Sequence, residues 1–175
     1  MFGGGGELAA RVFDAVERWT LTRAYATKAG YRADLRAYLD DALNRRDDRD
    51  TVERWDHGSH IVTTKPGVVS GDIDVDDTVG IELTCGFDAT ERPKLRGRLV
   101  DYADAYDYVA VCTCGLQDAD GWRALERAFS QGRGAVDTTQ FRFVVKRRPG
   151  DPTSESASTS VGGGESADPN PDVSG

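Results

Sequence analysis

The stretch SGDIDVDDTVGIELTCG, residues 70–86, reads as two short strands joined by a tight turn at Asp76–Asp77. Acids stand at Asp72, Asp74, Asp76, Asp77 and Glu82, and Glu82 lies inside the apolar run VGIELT. A charged group in a buried strand is costly unless it is paired. Alternate strand residues share a face. Glu82 and Thr84 therefore point one way, and Ile81 and Leu83 the other. If the two strands form a hairpin, Asp72 approaches Glu82 across the ladder. Two carboxylates that close repel unless a cation sits between them. A plainer reading makes Asp74, Asp76 and Asp77 a solvated hairpin tip and turns Glu82 to solvent from a half-exposed strand.

Working outward, ELAARVFDAVERWTLTRAYA (7–26) places Leu8, Val12, Ala15, Val16 and Trp19 on one helical stripe. Gly30 is expected to break that run. YRADLRAYLDDALN (31–44) repeats the pattern with Tyr31, Leu35, Tyr38, Leu39, Ala42 and Leu43. TVERWDHGSHIVTTK (51–65) fits a hairpin turning near His57–Gly58. After the acidic hairpin, ERPKLRGRLVDYADAY (91–106) carries Leu95, Leu99, Tyr102, Ala103 and Tyr106 at helical spacing. DYVAVCTCG (107–115) is a continuous apolar run of the kind that suits a central strand covered on both faces. DADGWRALERAFS is a helix with Asp118 or Asp120 as cap, and QFRFVVKRRPG closes with an alternating strand and a basic end. The order predicts an α/β protein with a mixed central sheet flanked by helices. It divides into an N-terminal helix (1–30), a main domain (31–149) and an acidic tail (150–175) expected to be disordered.

The chain has 175 residues and a formal charge of −8, with 22 basic and 30 acidic side chains. Asp outnumbers Glu by 22 to 8, and Arg outnumbers Lys by 18 to 4. Such Asp-rich, Lys-poor composition resembles that of salt-loving archaea. In molar salt the Debye length falls to about 3 Å, so an acidic surface repels an anionic partner much less. The tail holds five acids and no base, which leaves the rest near neutrality. No apolar run approaches the ~20 residues of a membrane span, and the start lacks the pattern of a secretory signal; a cytoplasmic location is expected, with no membrane partner. Cys85, Cys112 and Cys114 do not have zinc-knuckle spacing and read as buried thiols. Trp19, Trp55 and Trp122 read as packing residues.

Taken together, GDIDV, VGIELT and ERPKLRGRLVDYADAYDYVAVCTCG resemble the PD-(D/E)XK, or restriction-endonuclease-like, nuclease superfamily over roughly residues 31–145. The resemblance implies an α-β-β-β-α-β core, here with an extra N-terminal helix. It implies metal ligation by Asp72, which matches the motif Asp, and Glu82, which matches the motif Glu, with Mg²⁺ or Mn²⁺ as cofactor and DNA as substrate. LRGRLVDY (95–102) resembles the LxGQxxxY helix of some members, with Arg98 at the Gln position and Tyr102 at the Tyr position. Thr84 stands where the motif has its lysine. Lys94 or Arg96, on the following helix, is the expected replacement, with Lys94 as the catalytic cation. Arg96 and Arg98 are the expected phosphate contacts, with Lys146, Arg147 and Arg148 as further basic candidates. Many members place a Glu in the first core helix, and the segment KAGYRADLRAYL (28–39) offers only Asp34 there.

Two functions of different class follow. One is a metal-dependent nuclease hydrolysing DNA phosphodiester bonds, with a homodimer as a compatible assembly. The other is a catalytically inactive nuclease-like domain that binds nucleic acid or a protein partner. A structural or regulatory protein of a virus or mobile element, with its acids serving solubility, is a third.

Overall fold

In the first helix, α1 (Gly4–Arg18), the predicted stripe becomes a buried face of Leu8, Ala9, Val12, Phe13, Ala15 and Val16. This is a computed structural model, and it describes residues 4–45, 59–64, 72–130 and 138–150. The helix stops at Arg18, short of the expected run to residue 26. The Thr20 hydroxyl donates to the Arg18 carbonyl at 3.1 Å, a local bond that competes with continued helix. Trp19 instead turns inward and donates its indole N–H to Asp34 at 3.1 Å.

The second helix, α2 (Lys28–Asn44), contains Gly30 in its first turn, so this glycine does not separate two helices as expected. Its role is clearance. A Cβ there would lie 2.6 Å from the Tyr25 ring, which packs edge-on against Tyr31. Leu35, Leu39 and Leu43 follow at helical spacing and are buried.

The remaining elements are β1 (Val62–Thr63), β2 (Ile73–Val75), β3 (Val79–Phe87), α3 (Glu91–Ala105), β4 (Tyr108–Leu116), α4 (Ala119–Ser130) and β5 (Gln140–Lys146). The strands form one mixed sheet in the order β1-β2-β3-β4-β5. β1–β2 and β2–β3 are antiparallel, while β3–β4 and β4–β5 are parallel. The expected hairpin at residues 51–65 is represented only by its end, β1; its proposed turn, Trp55 and the tail beyond residue 150 lie outside the described residues.

Two cores lie on the two faces of the sheet. α1 and α2 cover Ile73, Val75, Ile81, Leu83, Ala110, Cys112 and Cys114. α3 and α4 cover Val109 and Val111 with Leu95, Leu99, Tyr102, Trp122, Leu125 and Phe129. β4 is therefore buried on both faces, as its unbroken apolar run implies. The helices that cover the second face are capped from their loops. Asp88 Oδ1 accepts the Thr90 and Glu91 amides at 2.8 Å each, and these backbone bonds hold its carboxyl below the usual range. Asp118, rather than Asp120, caps α4 through the Gly121 amide at 2.8 Å.

The turn between β2 and β3 places Asp76 and Asp77 at φ of 53° and 50°, the left-handed pair that a two-residue hairpin turn requires. Only Asp77 is exposed. Asp74 is buried and accepts the Tyr106 hydroxyl at 2.8 Å and the Asp77 amide at 3.0 Å. Asp76 accepts the Ile61 amide at 2.7 Å and meets His60 Nδ1 at 2.6 Å, tying β1 to the turn. The solvated-tip reading is thus corrected for Asp74 and Asp76: each has donors brought by another element.

Tyr106 reaches Asp74 by crossing Gly80, where a Cβ would lie 2.6 Å from the ring. Gly80→Ala is expected to destabilise the fold by about 1–3 kcal/mol through overpacking. Gly97, in mid-α3, has nothing near its Cβ position. Gly97→Ala is expected to stabilise by about 0.5–1 kcal/mol through helix propensity. Urea midpoints of the two variants should move in opposite directions; a shared direction would contradict the packing described for Tyr106.

Candidate functional site

Glu82 has almost no exposed surface, with a side-chain accessibility of 1%. Its position in the middle of β3 forces the carboxylate toward α3, because Ile81 and Leu83 take the other face. Three side chains meet it. Arg98 Nε donates to Oε1 at 2.8 Å, the Tyr102 hydroxyl donates to Oε2 at 2.6 Å, and Lys28 Nζ lies 3.5 Å from Oε1. Arg98 and Tyr102 are four residues apart on α3, so one helix face delivers both. Arg98 is held from its other side by Glu91 at 2.7 Å.

Asp72 precedes β2 and reaches the same place. Its Oδ2 accepts the Leu83 amide at 2.9 Å and the Lys28 ammonium at 2.7 Å. Arg32 approaches its other oxygen at 3.6 Å. A single ammonium therefore touches both carboxylates, and the electrostatic expectation that a cation must lie between them is met by a residue of this chain. The site is buried toward the sheet and opens where Lys28 and Arg32 reach solvent, at 39% and 34% side-chain exposure.

Burial, and then the charge of Asp72, hold the Glu82 carboxyl above the usual carboxylate range. Burial together with the Glu82 charge pushes the Tyr102 hydroxyl up, so Tyr102 keeps its proton and remains a donor. Burial works against the Arg98 charge, but its bond to Glu91 and the charge of Glu82 outweigh that and raise its pKa.

Of the residues expected from the sequence, Asp72, Glu82 and Arg98 come together, and Tyr102 joins them from the helix motif. Thr84 is buried on β3 beside Thr113 of β4. Lys94 does not reach the pair: it is exposed and its ion pair is with Glu91 at 3.7 Å. Arg96 lines a groove of about 430 Å³ between α3 and α4, with Arg92 and Leu125. Asp34 accepts from Trp19 and stays in the helical layer. Sequence reasoning missed Lys28, Arg32 and Glu91. A signal for Lys28 was present. It is one of four lysines, and it opens a helix whose first turn holds no acid, where the macrodipole disfavours positive charge.

Among the described residues, no group of three or more His, Cys, Asp or Glu side chains is placed to hold a metal ion. The three thiols sit together on β3 and β4. Hydrogen bonding to Cys114 and burial push the Cys85 thiol up, and hydrogen bonding to Cys112 does the same for Cys114. Neither is poised as a thiolate ligand or nucleophile. No described helix is long and apolar enough to cross a membrane. No family model, no curated protein and no solved structure matches this chain.

The raised carboxyl of Glu82 has a definite sign in stability. The folded state binds this proton more readily than the unfolded chain does. The group's contribution is greatest at low pH and declines as pH rises from the ordinary glutamate range through the raised value. Urea unfolding of wild type and Glu82→Gln across acidic to neutral pH should give a wild-type minus variant difference that falls with pH. A difference flat in pH would contradict the burial assigned to this carboxyl.

Proposed function

We propose that this protein is a divalent-metal-dependent nuclease of the PD-(D/E)XK kind that hydrolyses DNA phosphodiester bonds, with Lys28 in the place of the motif lysine. The observation that carries this reading is the meeting of Asp72, just before β2, with Glu82 of β3 and Lys28 of α2 at one half-open point. The order α2-β1-β2-β3-α3-β4 agrees with the α-β-β-β-α-β core that the sequence resemblance implies. Arg98 and Tyr102, at the Gln and Tyr positions of the helix motif, both bond to Glu82.

Two carboxylates around one cationic centre fit a magnesium or manganese ion, which takes one or two protein carboxylates and completes its shell with water and substrate oxygens. Asp72 and Glu82 would hold it, and it would supply Lewis acidity and an activated water. The chain's own residues do the rest. Arg98 and Tyr102 fix the two oxygens of Glu82. The Leu83 amide fixes Asp72. Lys28 holds the attacking water beside the carboxylates and supplies the charge that Thr84 lacks. Arg32, bound to Asp72 only at 3.6 Å, is placed to meet a substrate phosphate.

The second reading, an inactive nuclease-like domain that binds nucleic acid or a protein, is favoured by a different observation. Both oxygens of Glu82 are already engaged, and Asp72, Glu82 and Glu91 are matched by Lys28, Arg32 and Arg98. A cleavage assay separates the two. Plasmid and single-stranded DNA are incubated with Mg²⁺ or Mn²⁺ in low and in molar KCl. The nuclease reading expects metal-dependent cutting that Asp72→Asn and Glu82→Gln abolish, and that Lys28→Ala reduces by about 100-fold, the scale of losing one positioned electrostatic group. Lys94→Ala is expected to cut like wild type. A folded wild type that cuts nothing under any of these conditions rejects the enzyme and leaves the binding module.

A further inference from the structure

Beside its core stripe, α2 carries a row of cations. Tyr31, Leu35, Leu39 and Leu43 are its buried residues. Lys28, Arg32 and Arg36 stand four residues apart and share a neighbouring face of the helix. At about 1.5 Å per residue, each step is roughly 6 Å along the axis, comparable to the separation of successive phosphates in a nucleic-acid strand. The row begins where Lys28 meets Asp72 and Glu82. It ends at Arg36, whose Nε donates to the Val62 carbonyl of β1 at 3.1 Å. β1 lies at the edge of the sheet, beyond β2, so α2 carries the row from Glu82 on β3 out to that edge. At the next position the charge reverses: Asp40 accepts from Asn44 at 3.0 Å.

Both guanidiniums of the row have donors to spare. Arg36 is exposed. The Val62 bond fixes its Nε, and its two Nη groups make no hydrogen bond or ion pair among the described residues. Among the same residues Arg32 has only the 3.6 Å approach to Asp72, too long for a hydrogen bond. The acid between them in sequence, Asp34, accepts from Trp19 instead. The row is thus uninterrupted positive charge in a chain whose acids outnumber its bases by 30 to 22. The first turn of α2 holds no acid, and the helix N-terminus adds positive potential at the Lys28 end. Planar, forked donors with open nitrogens, repeated at this spacing, match a line of phosphates.

We infer that Lys28, Arg32 and Arg36 form a track on which the phosphate backbone of one nucleic-acid strand leaves the Asp72–Glu82 pair along α2 toward β1. The inference rests on the nucleic-acid reading of that site but not on catalysis. Arg32 takes the phosphate next to the acid pair, and Arg36 takes the one beyond it. Such contacts position a strand and carry no sequence information. An Arg36 that merely tied α2 to β1 would need the bond to Val62 and no charge.

The test is binding of fluorescein-labelled single-stranded and duplex oligonucleotides by the full chain, followed by anisotropy in EDTA over a range of KCl. Arg36→Gln keeps an N–H for the Val62 carbonyl and removes the charge. It is expected to weaken binding several-fold, equally across sequences, and to lower the slope of log Kd against log salt by about one, the loss of one phosphate contact. Arg36→Lys restores the charge and is expected to keep the wild-type slope. If Arg36→Gln has a lowered thermal midpoint, Arg32→Gln, which gives up no hydrogen bond, carries the same expectation. Arg127→Gln removes an exposed charge from α4, on the other face of the sheet, and is expected to leave the slope unchanged. A wild-type slope in the glutamine variants of the row, an equal fall in Arg36→Lys, or an equal fall in Arg127→Gln would overturn the track and leave the nucleic-acid reading standing. A wild type that binds neither oligonucleotide overturns both. Binding that depends on Arg36 in a protein that cuts no DNA upholds the track and rejects only the nuclease.

Discussion

The structure depends on how a carboxylate is kept inside a sheet. An isolated ionised Glu82 at this depth would cost far more than the fold has to spare. It is retained because α3 brings a guanidinium and a phenol and α2 brings an ammonium. The demand propagates. Arg98 must itself be held, which engages Glu91. Lys28 must reach past the end of its helix, which engages Asp72. Asp72 in turn is seated by a β3 amide. Four elements are thereby locked to one another around a single side chain. Removing one partner of such a buried pair is generally more damaging than replacing the whole set with apolar residues.

A second acid–phenol pair runs parallel to the first. Tyr106 bonds Asp74 as Tyr102 bonds Glu82, and the two rings meet edge to face at 6.3 Å. The two pairs differ in what surrounds them. Asp74 also accepts a turn amide, whereas Glu82 meets Arg98 and Lys28. Asp74 thereby joins the hairpin turn to Tyr106, whereas Glu82 joins β3 to α2 and α3. Acid-rich composition conceals this distinction, because both residues look alike in the sequence.

Much of the fold was legible because the signals were local and periodic. The unbroken DYVAVCTCG run gave the central strand, the alternation around Glu82 gave its face, and the spacing of Leu95, Leu99 and Tyr102 gave α3. The Asp72–Glu82 meeting followed from a hairpin and a period of two. What failed was long range. Nothing within a window around Gly30 shows that Tyr25 will fold over it, so the glycine read as a break. Nothing near Glu82 shows that the ammonium meeting it and Asp72 comes from Lys28, on an earlier helix, rather than from Lys94 on the next one. Lys94 was the nearer residue in sequence, but the phase of α3 turns it to Glu91 and solvent. Cations with long stems can serve a site from any neighbouring element, and one-dimensional spacing does not rank the candidates.

The parallel half of the sheet has a consequence for how the chain is made. α1 rests on β4 and β5, and its end is fastened to β5 by Arg142 on Glu17 and by Lys146 on the Glu17 carbonyl, contacts 125 and 129 positions apart. During synthesis from the N-terminus, the apolar stripe of α1 emerges long before the strands that will cover it. The β2–β3 hairpin can close locally, so the two acids are paired in space while the helical layer over them still lacks its support. β5, the last strand to reach the sheet edge, completes the cover over α1 through its bonds to Glu17. α1 precedes every strand it packs on and is thus among the last elements to become native.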